Sequence, residues 1–183
     1  MSSQTDTPNT SFARRWLGVL WMTALLGALA WLGASRNAMF LVPPFGATLA
    51  ILLYLPDAPI ARPRAVIVGS LLGASLGTLL AALLGAGPLT AVLAALSSAL
   101  VLTGSRTFHP PGVALAMYPA LLHTGVGFPL EVVLPFTLIA ILTAPWVRAR
   151  TPRQFTLAQH APAPLRRRLP ARWWRAARGA RGD

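Results

Sequence analysis

Between Trp16 and Val147 the chain places only six formal charges, Arg36, Asp57, Arg62, Arg64, Arg106 and Glu131, and this sparsity constrains the fold more than any other feature. A soluble domain carries about a quarter charged residues, spread along its length. Here the stretches 16–35, 37–56, 65–87 and 88–105 are uncharged, each close to the roughly 20 residues a helix needs to cross a hydrocarbon core of about 30 Å. Two further apolar segments, 113–128 and 132–147, flank Glu131. The residues are 55% hydrophobic and 11% charged, with mean hydropathy +0.59. The expected fold is therefore an all-α integral membrane protein of six apolar segments. Residues 1–13 are expected to be a disordered polar arm, 14–147 the transmembrane domain and 148–183 an arginine-rich cytoplasmic tail. The first apolar run is too long for a signal-peptide core and reads as an uncleaved span.

The chain has no cysteine, which excludes disulfides, cysteine-ligated metal and thiol catalysis. Its three histidines and few carboxylates follow no metal-ligand or triad spacing, so neither enzyme activity nor a cofactor or metal is expected.

All 16 basic residues are arginine, and their positions orient the chain. They gather at Arg14-Arg15, at Arg62 and Arg64, at Arg106 and after Val147, whereas the turns at Gly85-Ala86-Gly87-Pro88 and Gly127-Phe128-Pro129 have none. With six crossings, the positive-inside rule puts both termini and the arginine loops in the cytoplasm, and only Arg36 falls on the other side. A bacterial cytoplasmic (inner) membrane is the expected location. The tail stretch Arg172-Trp173-Trp174-Arg175 suits the headgroups of anionic lipids, a better match for a membrane-tethered segment than nucleic acid. Gly69, Gly73 and Gly77 leave one helix face as nearly bare backbone, a seat for another helix or a second protomer. Ser97 and Ser98 are placed to hydrogen-bond across helices. One chain of six helices is small for enclosing a pathway, so a homo-oligomer is expected.

Two segments are broken in the same way. Pro43-Pro44-Phe45-Gly46-Ala47-Thr48 and Pro110-Pro111-Gly112-Val113-Ala114 each pair two prolines with glycine and small residues ahead of a helix. Proline is comfortable at a first helical position, so each motif marks a helix start. From Phe45 to Pro56 the helix is only about 18 Å long, so it begins near the middle of the bilayer. The breaks fall in the middle member of each set of three segments, the arrangement of a 3+3 inverted repeat with discontinuous helices. The alternative is four full spans plus two re-entrant segments. In the repeat, both helix starts face one site, and their N–H groups and positive dipole ends suit a small anion. The candidate binding residues are Phe45, Gly46, Ala47, Thr48, Pro110, Pro111 and Gly112. His109 is the side chain placed to donate to an anion or carry a proton, or alternatively to brace the turn. Arg106 is placed to draw anions to the mouth, and His123 to line the same path or pack as a structural histidine. Glu131 reads as a solvated carboxylate at a helix start.

These residues resemble a known family. Phe45-Gly46-Ala47-Thr48, the loop from Pro56-Asp57 through Arg62-Pro63-Arg64, Gly69 and His109-Pro110-Pro111-Gly112 are similar to motifs of the HPP family of integral membrane proteins, over residues 16–147. The family is usually described with four spans, some members are implicated in nitrite transport in bacteria and plastids, and several bacterial relatives carry a cytoplasmic regulatory domain. The family often has two glycines after His-Pro-Pro, where this chain has Gly112-Val113. The resemblance implies a permease or channel for a small, nitrite-like inorganic anion. The alternative is a non-transporting membrane scaffold that recruits lipids or partners.

Overall fold

The computed structural model describes residues 8–35 and 43–150, all in helices and short connections. Among the described residues six α-helices follow one another: α1 (Pro8–Ser35), α2 (Pro43–Tyr54), α3 (Pro63–Leu84), α4 (Pro88–Gly104), α5 (Pro110–Leu122) and α6 (Leu134–Arg150). A 3₁₀ turn, Pro59–Ala61, leads into α3, and a π turn, Pro129–Val133, leads into α6. Among the described residues, 16–34, 63–84 and 129–150 form helices long and apolar enough to cross a membrane, while α2, α4 and α5 are shorter apolar helices. Arg36, the arm between α1 and α2, and the arginine-rich tail lie outside the described residues.

Proline marks every helix start. It is the first residue of α1 to α5 and of the π turn before α6, where its fixed φ suits the helix and its missing N–H costs nothing. This places the start of α1 at Pro8, inside the arm expected to be disordered. Once initiated there, the helix adds one hydrogen bond per residue and runs on into the apolar span. The π turn has a local cause. Pro135 cannot donate to the carbonyl of Glu131 and its ring crowds that carbonyl, so the preceding turn widens and the Leu134 N–H bonds to Pro129 five residues back.

The glycine stripe receives α5. A Cβ on Gly69 would collide with the Thr107 carbonyl, one on Gly73 with the Gly112 carbonyl, and one on Gly77 with the Ala116 carbonyl. The seat is thus filled within the chain, in a contact of backbone on backbone. The pairing also fixes register. Residue numbers rise together along both helices, so α3 and α5 run parallel, and Gly112 lies level with Gly73. At 1.5 Å per residue, α5 begins about 12 Å further along than α3, roughly a third of the length of that helix. At the opposite end, the Gly87 N–H donates to the Ala120 carbonyl at 3.0 Å, pinning the α3–α4 turn to the end of α5.

The remaining contacts are made by side chains. Phe45 of α2 meets Phe136 of α6 with ring centroids 4.1 Å apart, and Leu49, Val66, Leu115, Val133 and Ala140 join them in a buried core drawn from α2, α3, α5, the π turn and α6. α1 lies at the edge of the bundle, with only 11% of its span buried. It is held partly by the Trp21 indole N–H, which donates to the Thr143 hydroxyl of α6 at 2.9 Å. The expected bond from Ser97 across helices does not form. Its hydroxyl donates to the Leu93 carbonyl of its own helix at 2.8 Å, the nearest acceptor for a short side chain, and Ser98 is buried without a hydrogen-bond partner among the described residues.

Candidate functional site

The stretch between α4 and α5 starts with a tight helix end. The Thr107 N–H donates to the Leu102 carbonyl at 3.1 Å and the Arg106 N–H to the Thr103 carbonyl at 3.2 Å, the paired bonds of a Schellman motif. The motif puts Arg106 in the left-handed region at φ 55°, a position that usually belongs to glycine and costs an arginine about 1 kcal/mol. From there the chain is extended and its side chains alternate: Arg106 and Phe108 are exposed, Thr107 and His109 buried. The Ser105 and Thr107 hydroxyls bond to each other at 2.7 Å beneath the turn.

His109 is the N-cap residue of α5 and has no exposed surface. Its imidazole ties three elements together. Nδ1 lies 2.9 Å from the Ile60 carbonyl in the 3₁₀ turn, and Nε2 lies 3.0 Å from the Thr48 hydroxyl on α2. Since a carbonyl only accepts, Nδ1 carries a proton and donates. Both ring nitrogens are therefore engaged by the protein.

The two proline pairs line one cleft of about 660 Å³. Pro43, Pro44, Ala47 and Ile51 form the α2 wall; Pro110 and Pro111, then Ala114, Met117 and Tyr118 along the helix, form much of the α5 wall. The wall is apolar, and among the described residues Tyr118 is its one hydroxyl-bearing member. The helix starts offer fewer backbone donors than an ordinary helix does. Pro110 and Pro111 have no N–H, and the Gly112 N–H is taken by the His109 carbonyl at 2.8 Å. The positive end of a helix dipole resides on such unpaired N–H groups, so the start of α5 presents a reduced positive end.

The nine residues singled out from the sequence divide into four groups. Ala47, Pro110 and Pro111 line the cleft. Thr48 and His109 bond to each other as a brace, with Thr48 and Pro44 adjoining one another on α2. Phe45, Gly46 and Gly112 turn to packing: Phe45 stacks on Phe136, Gly46 approaches Leu26 of α1, and Gly112 meets Gly69 and Gly73 of α3. Arg106 stands exposed on the connection, outside the cleft wall. His123 caps α5 in a left-handed conformation, φ 52°, and is exposed instead of lining the cleft or packing inside. Glu131 is exposed in the first turn before α6, as expected. Tyr118 was missed, although Pro110, Ala114 and Tyr118 recur every four residues and so share a helix face.

An all-helical bundle with three span-length apolar helices, and between them two short helices that start on paired prolines, defines an integral membrane protein. Residues 4–156 match the family model described as HPP, transmembrane region, and the chain belongs to that family. Over 111 residues it is also 27% identical to a transmembrane protein of Dictyostelium discoideum, a match covering 55% of this chain and 36% of that protein. The chain thus spans about a third of the length of the curated relative it matches. No solved structure matches it.

Proposed function

We propose that this protein is a permease or channel for a small inorganic anion of the nitrite class, acting as a homo-oligomer in a bacterial cytoplasmic membrane with both termini on the cytoplasmic side. The observation that carries the reading is the single cleft lined by both proline pairs. Two helix amino ends at one cavity bring two positive dipole ends to it, each reduced by its proline pair, and these favour negative charge over positive. An apolar wall with a lone phenol favours a weakly hydrated monovalent ion over a strongly hydrated one, because less hydration is lost on entry. Arg106, exposed on the connection leading to Pro110, supplies positive charge four residues ahead of that cleft-lining proline. The arginine-rich tail adds attraction to anionic lipid. No chemical step on the substrate is part of the proposal.

The apolar wall also favours a second reading, a non-transporting scaffold whose cleft holds a lipid chain or a partner's side chain. Flux in proteoliposomes separates the two. Uptake of nitrite, nitrate or formate above that of empty vesicles, reduced by Tyr118→Phe or by Ala47→Leu, supports the permease. Folded, reconstituted protein that moves none of these ions refutes it and leaves the scaffold.

A further inference from the structure

We infer that Thr48 and His109 form a two-position hydrogen-bond relay that transmits the protonation of His109 to the first turn of α2. The partners of the imidazole decide which atoms donate. Nδ1 of His109 faces the Ile60 carbonyl at 2.9 Å and must hold a proton to bond to it. In the neutral ring Nε2 is then an acceptor, and its hydrogen-bond partner among the described residues, the Thr48 hydroxyl at 3.0 Å, must donate to it. That hydroxyl has a second acceptor within reach, the Pro44 carbonyl at 3.1 Å. It carries one hydrogen and cannot serve both. When Nε2 takes up a proton, the ring becomes the donor, the Thr48 oxygen accepts, and the hydroxyl hydrogen rotates to the Pro44 carbonyl. The proton stays on the imidazole; only the hydroxyl rotor turns.

The position of the relay gives this change a target. Pro44 lines the cleft, and His109 directly precedes Pro110 in the opposite wall, so the bond that is made or broken lies between the two helix starts. Thr48 and His109 are both buried, with 1% and 0% of their surfaces exposed, so bulk water does not replace a lost partner. The elements around the ring bring little other charge. α2 contributes no ionised side chain and one phenol, Tyr54; α5 contributes Tyr118 and, at its far end, His123. The segment carrying Ile60 contributes Asp57 and Arg62, α3 contributes Arg64 in its first turn, and the connection before His109 contributes Arg106, all four exposed. Thr48 is thus a positioning residue that acts through His109. Where the relay bears on transport, the inference rests on the permease reading.

The test uses the full chain in lipid nanodiscs, with ¹⁵N-labelled histidine and ¹³C-labelled proline carbonyls. His109→Gln identifies the imidazole signals against His123 and His160, and Pro44→Ala identifies the carbonyl. The expected result is a neutral His109 with its proton on Nδ1, and a Pro44 carbonyl signal that shifts with the same midpoint as the His109 titration. Thr48→Val should abolish the carbonyl shift, and Thr48→Ser should restore it. A neutral ring protonated on Nε2, a carbonyl signal that ignores the titration, or a His109 that stays neutral wherever the protein is folded each overturns the relay. A Thr48→Val protein that still shows the carbonyl shift does so as well. The spectra need no transport, so a protein with the relay but no flux sinks the permease alone. Where flux is present, its pH profile should flatten in Thr48→Val and recover in Thr48→Ser.

Discussion

α2 and α5 begin alike and are held differently. Each opens with two prolines, each is 12 or 13 residues long, and the two line one cleft. α5 lies on the glycines of α3, with carbonyls where side chains would otherwise stand. α2 leans on α6 through rings, Phe45 against Phe136, with Ala140 and Ala144 of α6 in the same core. In lipid there is no hydrophobic force to press helices together, so closeness of approach and specific bonds decide how firmly a pair is joined. Backbone packed on backbone has no side chain that can turn to relieve a misfit. A ring pair can repack. The same helix start is therefore rigidly seated in one half of the bundle and adjustably seated in the other, and the Thr48–His109 bond connects the two.

Four substitutions break or sharpen this contrast. Gly73→Leu should have the largest effect, because its Cβ alone overlaps the Gly112 carbonyl; a cost above about 3 kcal/mol and loss of the monodisperse folded species in detergent are expected. Phe45→Ala empties a fully buried ring site on the adjustable side and should cost about 3 kcal/mol in a denaturant titration while leaving folded protein. A Phe45→Ala protein that collapses while Gly73→Leu survives would reverse the comparison. Arg106→Gly should stabilise by about 1 kcal/mol, since glycine meets the left-handed backbone without strain. Under the permease reading it should also lower anion flux, so a gain in stability accompanies a loss of function. The smallest effect belongs to the edge of the bundle: Trp21→Phe removes the bond to Thr143 and should cost about 0.6 kcal/mol, typical of a hydrogen bond between helices in a membrane.

Much of the architecture was legible because proline and charge punctuate an otherwise apolar chain. The paired prolines announced α2 and α5, and the glycine spacing announced a close helix contact. What the spacing left open was the partner, since a bare face accepts any helix and only the folded chain assigns it to α5. The far end of α5 was also misplaced. The apolar segment runs on to residue 128, but the helix stops at Leu122, three residues after Pro119 and at a left-handed His123. Hydropathy does not register such a stop. The partners of His109 lie 49 and 61 residues away, beyond any local pattern. The cleft face of α5 was hidden for a different reason: a helix apolar all round gives no sign of which side meets lipid and which meets protein.

The late start of α5 bears on the electric field across the membrane. α4 and α5 are about 26 Å and 20 Å long, whereas α3 is about 33 Å, and the exposed Arg106 between the two shorter helices keeps its charge with water or headgroups. A bilayer meets an apolar stretch shorter than its core by thinning locally, by snorkelling of flanking residues or by oligomerisation of the protein. Thinning there would concentrate the voltage drop over a shorter apolar path, so a charge beside this pair would feel a steeper field than one beside helices of full span length.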